Sequence, residues 1–217
     1  MLVKKYKTVL GEGKGEIIEK KSKFIATVKS IKNEQEAFNF IELMRKKYYD
    51  ANHNVYAFVI GSKNEIQRYS DDGEPSGTAG LPVLDVLKGE EVKDTLIVVT
   101  RYFGGTLLGK GGLVRAYSQG AKEGLSKSII IEKILYQKVN IKVDYTISGK
   151  LQHYLNENGI HIMETIYLQD VTFVVLIEED KIDNVINDIV DITNGDGIID
   201  MLNKFYGALV DKEVIIF

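Results

Sequence analysis

Residues 101–115 (RYFGGTLLGKGGLVR) hold the densest set of groups able to do chemistry. Gly104, Gly105, Gly109, Gly111 and Gly112 fall within nine residues, between an apolar run and a helical pattern. Glycines let the backbone approach a ligand closely. Successive N–H groups ahead of a helix form a nest for an anion, and the helix dipole reinforces it. Arg101, Lys110 and Arg115 add positive charge, while Tyr102 and Phe103 can stack on bases or pack the loop. The chemistry this suits is phosphate contact. The plainer alternative is a tight strand-to-helix turn with solvated basic residues. The coincidence of glycines, cations and aromatics favours phosphate contact. Gly104-x4-Gly109-Lys110 falls one residue short of a P-loop, because Gly111 stands where a magnesium-binding hydroxyl is needed. Nucleotide hydrolysis of the P-loop kind is therefore not expected, whereas plain phosphate cradling needs no hydroxyl.

A second stretch, residues 70–80 (SDDGEPSGTAG), offers Asp71, Asp72 and Glu74 as cation ligands or paired carboxylates. Its spacing is not that of a calcium loop. Asp, Ser, Pro75, Gly77 and Gly80 are also ordinary turn residues, and taken alone the segment reads as a structural loop. A third reading has its acids pairing with Arg101 or Arg115 and fixing the basic loop in place. His53 precedes an apolar run and can serve as a base or a stacking ring; on spacing alone it is an ordinary loop histidine. His153 and His161 have no recognisable partners. No Ser-His-Asp order, nucleophile elbow or metal signature is present. The chain has no cysteine, which excludes disulfides, thiolate metal sites and thiol catalysis.

The elements that must position these groups follow from periodicity. Strands are expected over 2–10, 23–31, 55–60 and 66–69, with Gly11, Gly13 and Gly15 read as turn residues. Asn33 caps a helix with Glu36 in capping-box position and an apolar face of Ala37, Ile41, Met44 and Tyr48. A short helix is expected over 80–88 with Pro82 in its first turn. The run 95–100 (TLIVVT) predicts a central strand buried on both faces. A loop over 101–112 leads into a helix carrying Leu113, Tyr117, Ala121 and Leu125. A strand follows over 129–134. Beyond it, strands at 139–143, 160–168 and 171–177, helices around Leu151 and Ile186 (the second capped by Asp180), and strand-like runs at 198–202 and 208–216 make the order β-α-β-β-α-β. That is the ferredoxin-like pattern.

Composition agrees with two folded domains. Hydrophobic residues make up 44% of 217, ordinary for a globular chain. No apolar run is long enough to span a bilayer, and the N-terminus lacks the apolar stretch of a secretory signal, so a cytoplasmic protein is expected. The net charge of −3 hides a division: residues 1–134 carry +5 and all the arginines, residues 135–217 carry −8. The domain boundary is expected near 134.

His53, the loop 71–80, the stretch 101–109 (RYFGGTLLG) and 112–117 (GLVRAY) together resemble the signature of the IMPACT family, in particular its bacterial YigZ-like branch. The resemblance is strong over about 15–130 and weaker beyond. It implies an α+β protein of two domains. The first, 1–134, would have a ribosomal-protein-type βαβ fold like domain IV of elongation factor G. The second, 135–217, would be ferredoxin-like, as in domain V of that factor. Eukaryotic relatives regulate translation by interfering with activation of an initiation-factor kinase, so the resemblance implies a process more than a reaction.

The reading favoured is a translation-related regulator that binds RNA or the ribosome through the first domain, and a binding protein rather than an enzyme. Arg101, Tyr102, Phe103, Gly104, Gly105, Gly109, Lys110, Gly111, Gly112, Arg115 and His53 form the expected contact. Asp71, Asp72, Glu74, Pro75, Gly77 and Gly80 form its supporting loop. No metal, cofactor or membrane is expected, and the acidic second domain is available to a protein partner. The alternatives are an enzyme acting on a phosphorylated small molecule, with a metal held by Asp71, Asp72 and Glu74, and a protein–protein adaptor.

Overall fold

The structure is a computed structural model that describes residues 2–210 and 213–217. Two compact units divide between Glu132 and Lys133. The first contains β1 (Lys5–Leu10), β2 (Glu12–Glu19), β3 (Ser22–Ser30), α1 (Glu34–Lys47), β4 (His53–Ile60), β5 (Ile66–Ser70), α2 (Gly80–Gly89), β6 (Thr95–Tyr102) and α3 (Gly109–Ser126). β2 to β6 make an antiparallel sheet in the order β2-β3-β6-β4-β5. Since β6 runs antiparallel to both β3 and β4, those two are parallel to each other. β3-α1-β4 is therefore a βαβ crossover with β6 inserted between its strands.

β6 explains why the middle of the sheet is dry. Leu96 and Val98 pack into a cluster with Phe40, Ile41 and Met44 of α1. The alternate residues Ile97 and Val99 pack on the opposite face with Val83 and Leu87 of α2 and Leu113 and Tyr117 of α3. With apolar neighbours on both sides, the strand needs no polar face. α1 starts as its sequence dictates: Asn33 Oδ1 accepts from the Glu36 amide at 2.9 Å, and Glu36 accepts from the Lys32 amide at 2.8 Å.

Residues 11–15 depart from expectation. Gly13 and Gly15 lie inside β2 rather than in a turn. A Cβ on Gly15 would lie 2.6 Å from the Glu123 backbone and one on Gly13 would meet Ser128, so these glycines let α3 and the residues just after it rest on the strand. The first strand also begins later than expected, at Lys5.

β7 (Ile129–Val143) begins before the division and runs into the second unit, which continues through α4 (Tyr145–Glu157), β8 (His161–Tyr167), β9 (Val171–Glu178), α5 (Ile182–Ile192), β10 (Ile198–Val210) and β11 (Glu213–Ile216). Its sheet order, β11-β10-β7-β9-β8 with antiparallel neighbours, contains the ferredoxin-like arrangement. Leu151, Leu155, Val185 and Ile189 from the helices pack on Val139, Ile141, Phe173 and Val175. The expected strands at 129–134 and 139–143 are one continuous strand. α5 is preceded by Lys181 at its cap rather than Asp180, with no side-chain capping bond. The expected runs at 198–202 and 208–216 become β10, irregular between Met201 and Lys204, and β11; residues 211 and 212 lie outside the described residues. No helix among the described residues is long and apolar enough to cross a membrane.

Candidate anion-binding cleft of the first unit

Register brings the chemistry together. Arg101 lies opposite Phe24 of β3 and His53 of β4, so all three project from one sheet face. Arg101 is a strand residue and only 6% exposed, not part of a solvated loop. Its guanidinium lies 5.4 Å from the centre of the Phe24 ring and 5.6 Å from that of Phe103. Its Nη1 donates to Glu74 Oε1 at 2.6 Å, and the Tyr117 hydroxyl donates to the same oxygen at 2.7 Å. His53 Nε2 stands 3.8 Å from that oxygen, while its Nδ1 is 2.8 Å from the carbonyl of Asp72. Glu74 is itself buried, so the ion pair sits in a low-dielectric site where each charge depends on the other. Burial, reinforced by the bond to Glu74, raises the Tyr117 phenol far above its ordinary value and keeps it protonated.

The acidic loop is held by its own backbone and by neighbouring groups. Asp71 accepts from the amides of Gly77, Ala79 and Gly80 at 2.8, 3.0 and 2.8 Å, and so caps α2 from a distance. Asp72 accepts from the Asn54 amide at 2.6 Å and from Arg45 at 3.1 Å. The third reading of this loop, acids holding an arginine, describes Glu74 and Arg101. Among the described residues no three His, Asp or Glu side chains gather as metal ligands.

The loop after β6 is fixed at both ends. Asn52 Oδ1 accepts from the Phe103 amide at 2.7 Å, and Ser22 Oγ from the Gly104 amide at 3.1 Å. Any Cβ at Gly104 would stand 2.0 Å from the Lys21 backbone, so only glycine fits. α3 begins at Gly109, earlier than expected, which turns Gly109, Lys110, Gly111 and Gly112 into its first turn. Leu108 precedes it with no side-chain capping bond, so the first-turn amides keep their positive end of the dipole uncapped.

A cleft of about 460 Å³ opens here. Its polar lining comes from Asn52, His53, Glu74, Arg101 and Lys110; Pro75, Phe103, Leu107, Leu108 and Leu113 supply apolar wall. Gly109 lies at its edge. Gly112 and Arg115 line a neighbouring cleft with Lys20. Tyr102 faces the other side of the sheet, where its hydroxyl donates to Asp50 at 2.8 Å; burial and that bond raise it to about 12. Gly105 sits in the exposed turn with φ 82°. Sequence reasoning assigns Tyr117 only a core role and does not single out Asn52, Ser22, Phe24 or Leu107. A helical spacing marks Tyr117 as buried, but nothing in it reveals that its hydroxyl meets a carboxylate 43 residues away.

The residues that build this cleft lie within 20–125, which match the model of the Impact N-terminal domain; residues 141–196 match a domain of unknown function, DUF1949. The IMPACT family member YvyE of Bacillus subtilis is 43% identical over 190 residues, 88% of this chain and 88% of that protein. The IMPACT family member YigZ of Escherichia coli is 39% identical over 128 residues, covering 58% of this chain and 63% of that one. A crystal structure of a hypothetical protein superposes with a TM-score of 0.60 at 28% identity, covering 93% of this chain and 99% of that one. With YvyE so similar along most of both chains, and the Impact model falling on the strands, loop and helix that form the cleft, this chain belongs to the IMPACT family.

Proposed function

We propose that the chain is a translation-related regulator that contacts RNA or the translation machinery through the rim of this cleft. Family membership supports the process, which is the one the sequence resemblance implies. The observation that carries the contact is the meeting of an uncapped α3 N-terminus with exposed Lys110, Phe103 (45% exposed) and Leu107 (84% exposed). Amides and ammonium attract phosphate, and the ring and isobutyl group offer a base an apolar surface. Arg115 extends the positive edge into the adjacent cleft with Lys20. Arg101 is the floor of the site, locked to Glu74, rather than a long-range attractor. A metal-dependent reaction is not favoured, because Asp71 and Asp72 are engaged by backbone amides and Glu74 by Arg101 and Tyr117. The acidic second unit is repelled by RNA and left to a protein partner. Such a role belongs to the cytoplasm.

The test is binding of the Lys110→Ala/Arg115→Ala double variant to purified ribosomes and to single-stranded RNA at two salt concentrations. Affinity should fall, and the log–log salt slope should flatten by about 0.7 for each single-strand phosphate that the variant no longer neutralises. Unchanged affinity in a variant that melts like the parent overturns the assignment.

A further inference from the structure

We propose that the cleft holds one unstacked nucleotide of the RNA, its phosphate at the α3 amino terminus and its base against Phe103; this rests on the RNA-contact reading above. The observation independent of the helix end is Arg101. It lines the cleft, is only 6% exposed, and its Nε–H has no hydrogen-bond partner. Nη1 is taken by Glu74, and Nη2 only reaches Ser22 Oγ at 3.5 Å. A buried guanidinium N–H without an acceptor is rare in native structures and calls for an explanation, and an oxygen entering from the cleft would answer it.

Size and lining select the ligand. About 460 Å³ suits a single small ligand, not a stretch of several nucleotides. Phosphate alone would leave Leu107 and the face of Phe103 uncovered, and a purely apolar molecule would leave Lys110 and the helix amides unanswered. A nucleotide has both an anionic end and a flat, weakly polar body. Asn52 adds a directional group. Because Oδ1 accepts from the Phe103 amide, its NH2 is the free end, able to donate to a base carbonyl or ring nitrogen. The ring offers a stacking face to any base, so the pocket should tolerate different bases.

The full chain, labelled with ¹⁵N, is titrated with AMP, UMP, adenosine and inorganic phosphate. AMP and UMP should move the backbone resonances of Lys110 and Gly111 and the side-chain Nε–H resonance of Arg101. Phosphate and adenosine should each bind at least about ten-fold more weakly. Phe103→Ala and Lys110→Ala, each checked for an unchanged melting profile, should each weaken AMP binding by about ten-fold. Resonances that stay still at saturating AMP and UMP, or phosphate that binds as tightly as AMP, overturn the proposal. Ribosome and RNA binding by the same wild-type sample separates the two levels. If that binding persists while AMP and UMP do nothing, the nucleotide pocket fails and the broader reading stands; if neither occurs, both fall.

Discussion

Replacing Glu74 with glutamine removes one charge from a buried ion pair of the first unit. Glu74 is 8% exposed and Arg101 6%, with the nitrogen and oxygen 2.6 Å apart. The amide oxygen can still accept from Arg101 or Tyr117, so the counter-charge goes while much of the hydrogen-bond set survives. A buried guanidinium left without its partner costs about 3–5 kcal/mol. Against a total of about 5–15 kcal/mol for a domain, that is about a fifth of its stability or more. At roughly 3–5 °C per kcal/mol for a unit of this size, the melting point should fall by about 10–20 °C. Calorimetry of the full chain reads this directly, as a fall in the transition belonging to the first unit. The control is Glu74→Leu combined with Arg101→Met and Tyr117→Phe, which removes both charges and the hydroxyl that would lose its acceptor, and should recover most of the stability. A Glu74→Gln protein that melts with the parent, or a triple variant no better than Glu74→Gln, refutes the account of a mutually dependent pair.

Tyr117 carries an alkaline signature. Its folded phenol is raised by burial and by Glu74, so below about pH 10 its contribution to stability is complete. As pH rises past the ordinary tyrosine value, the unfolded chain ionises there first. Stability should then drop by about 1.4 kcal/mol per pH unit from this group. Urea midpoints from pH 9 to 11 should show this fall, and Tyr117→Phe should lack that component; identical pH profiles for the two proteins contradict it. Asp71→Ala removes the acceptor of three amides and should cost about 2–3 kcal/mol in urea unfolding. Asp71→Asn keeps one carbonyl oxygen and should be destabilised less, while the Gly80 amide should exchange faster in the alanine variant. Equal stability of all three proteins contradicts the capping role.

Local pattern makes several elements legible. Asn33 and Glu36 announce α1, and the apolar run of β6 announces a strand covered on both faces, because each depends on neighbours in sequence or on composition alone. What resists reading depends on distant partners. Gly13 and Gly15 look like turn residues until Ser128 and α3 lie against them. Arg101 looks solvated because it ends an apolar run beside glycines. Its burial follows from Phe24, Phe103, Glu74 and Tyr117, brought in from elsewhere along the chain. The same holds for the start of α3: Gly109, Lys110 and Gly111 carry weak helix propensity as a group, and the helix begins there because its later face is anchored in the core. The loop 71–80 is legible in part. That its acids hold an arginine is visible in sequence as one option, but which acid and which arginine requires the fold.

The oxygen shared by Arg101 and Tyr117 also has a meaning in time. Glu74 Oε1 joins segments 27 and 43 residues apart in sequence, and its cluster reaches Ser22, 79 residues before Arg101. Contacts of such separation form only after the intervening chain has been closed into place. If α3 and the 71–80 loop settle onto the sheet after it has assembled, Glu74→Gln should speed unfolding and leave the refolding rate nearly unchanged, which stopped-flow kinetics would read. Interactions absent from the transition state govern how fast a protein comes apart rather than how fast it forms. On that order of events a single carboxylate oxygen acts as a latch on the rate at which the domain comes apart, not on the rate at which it forms.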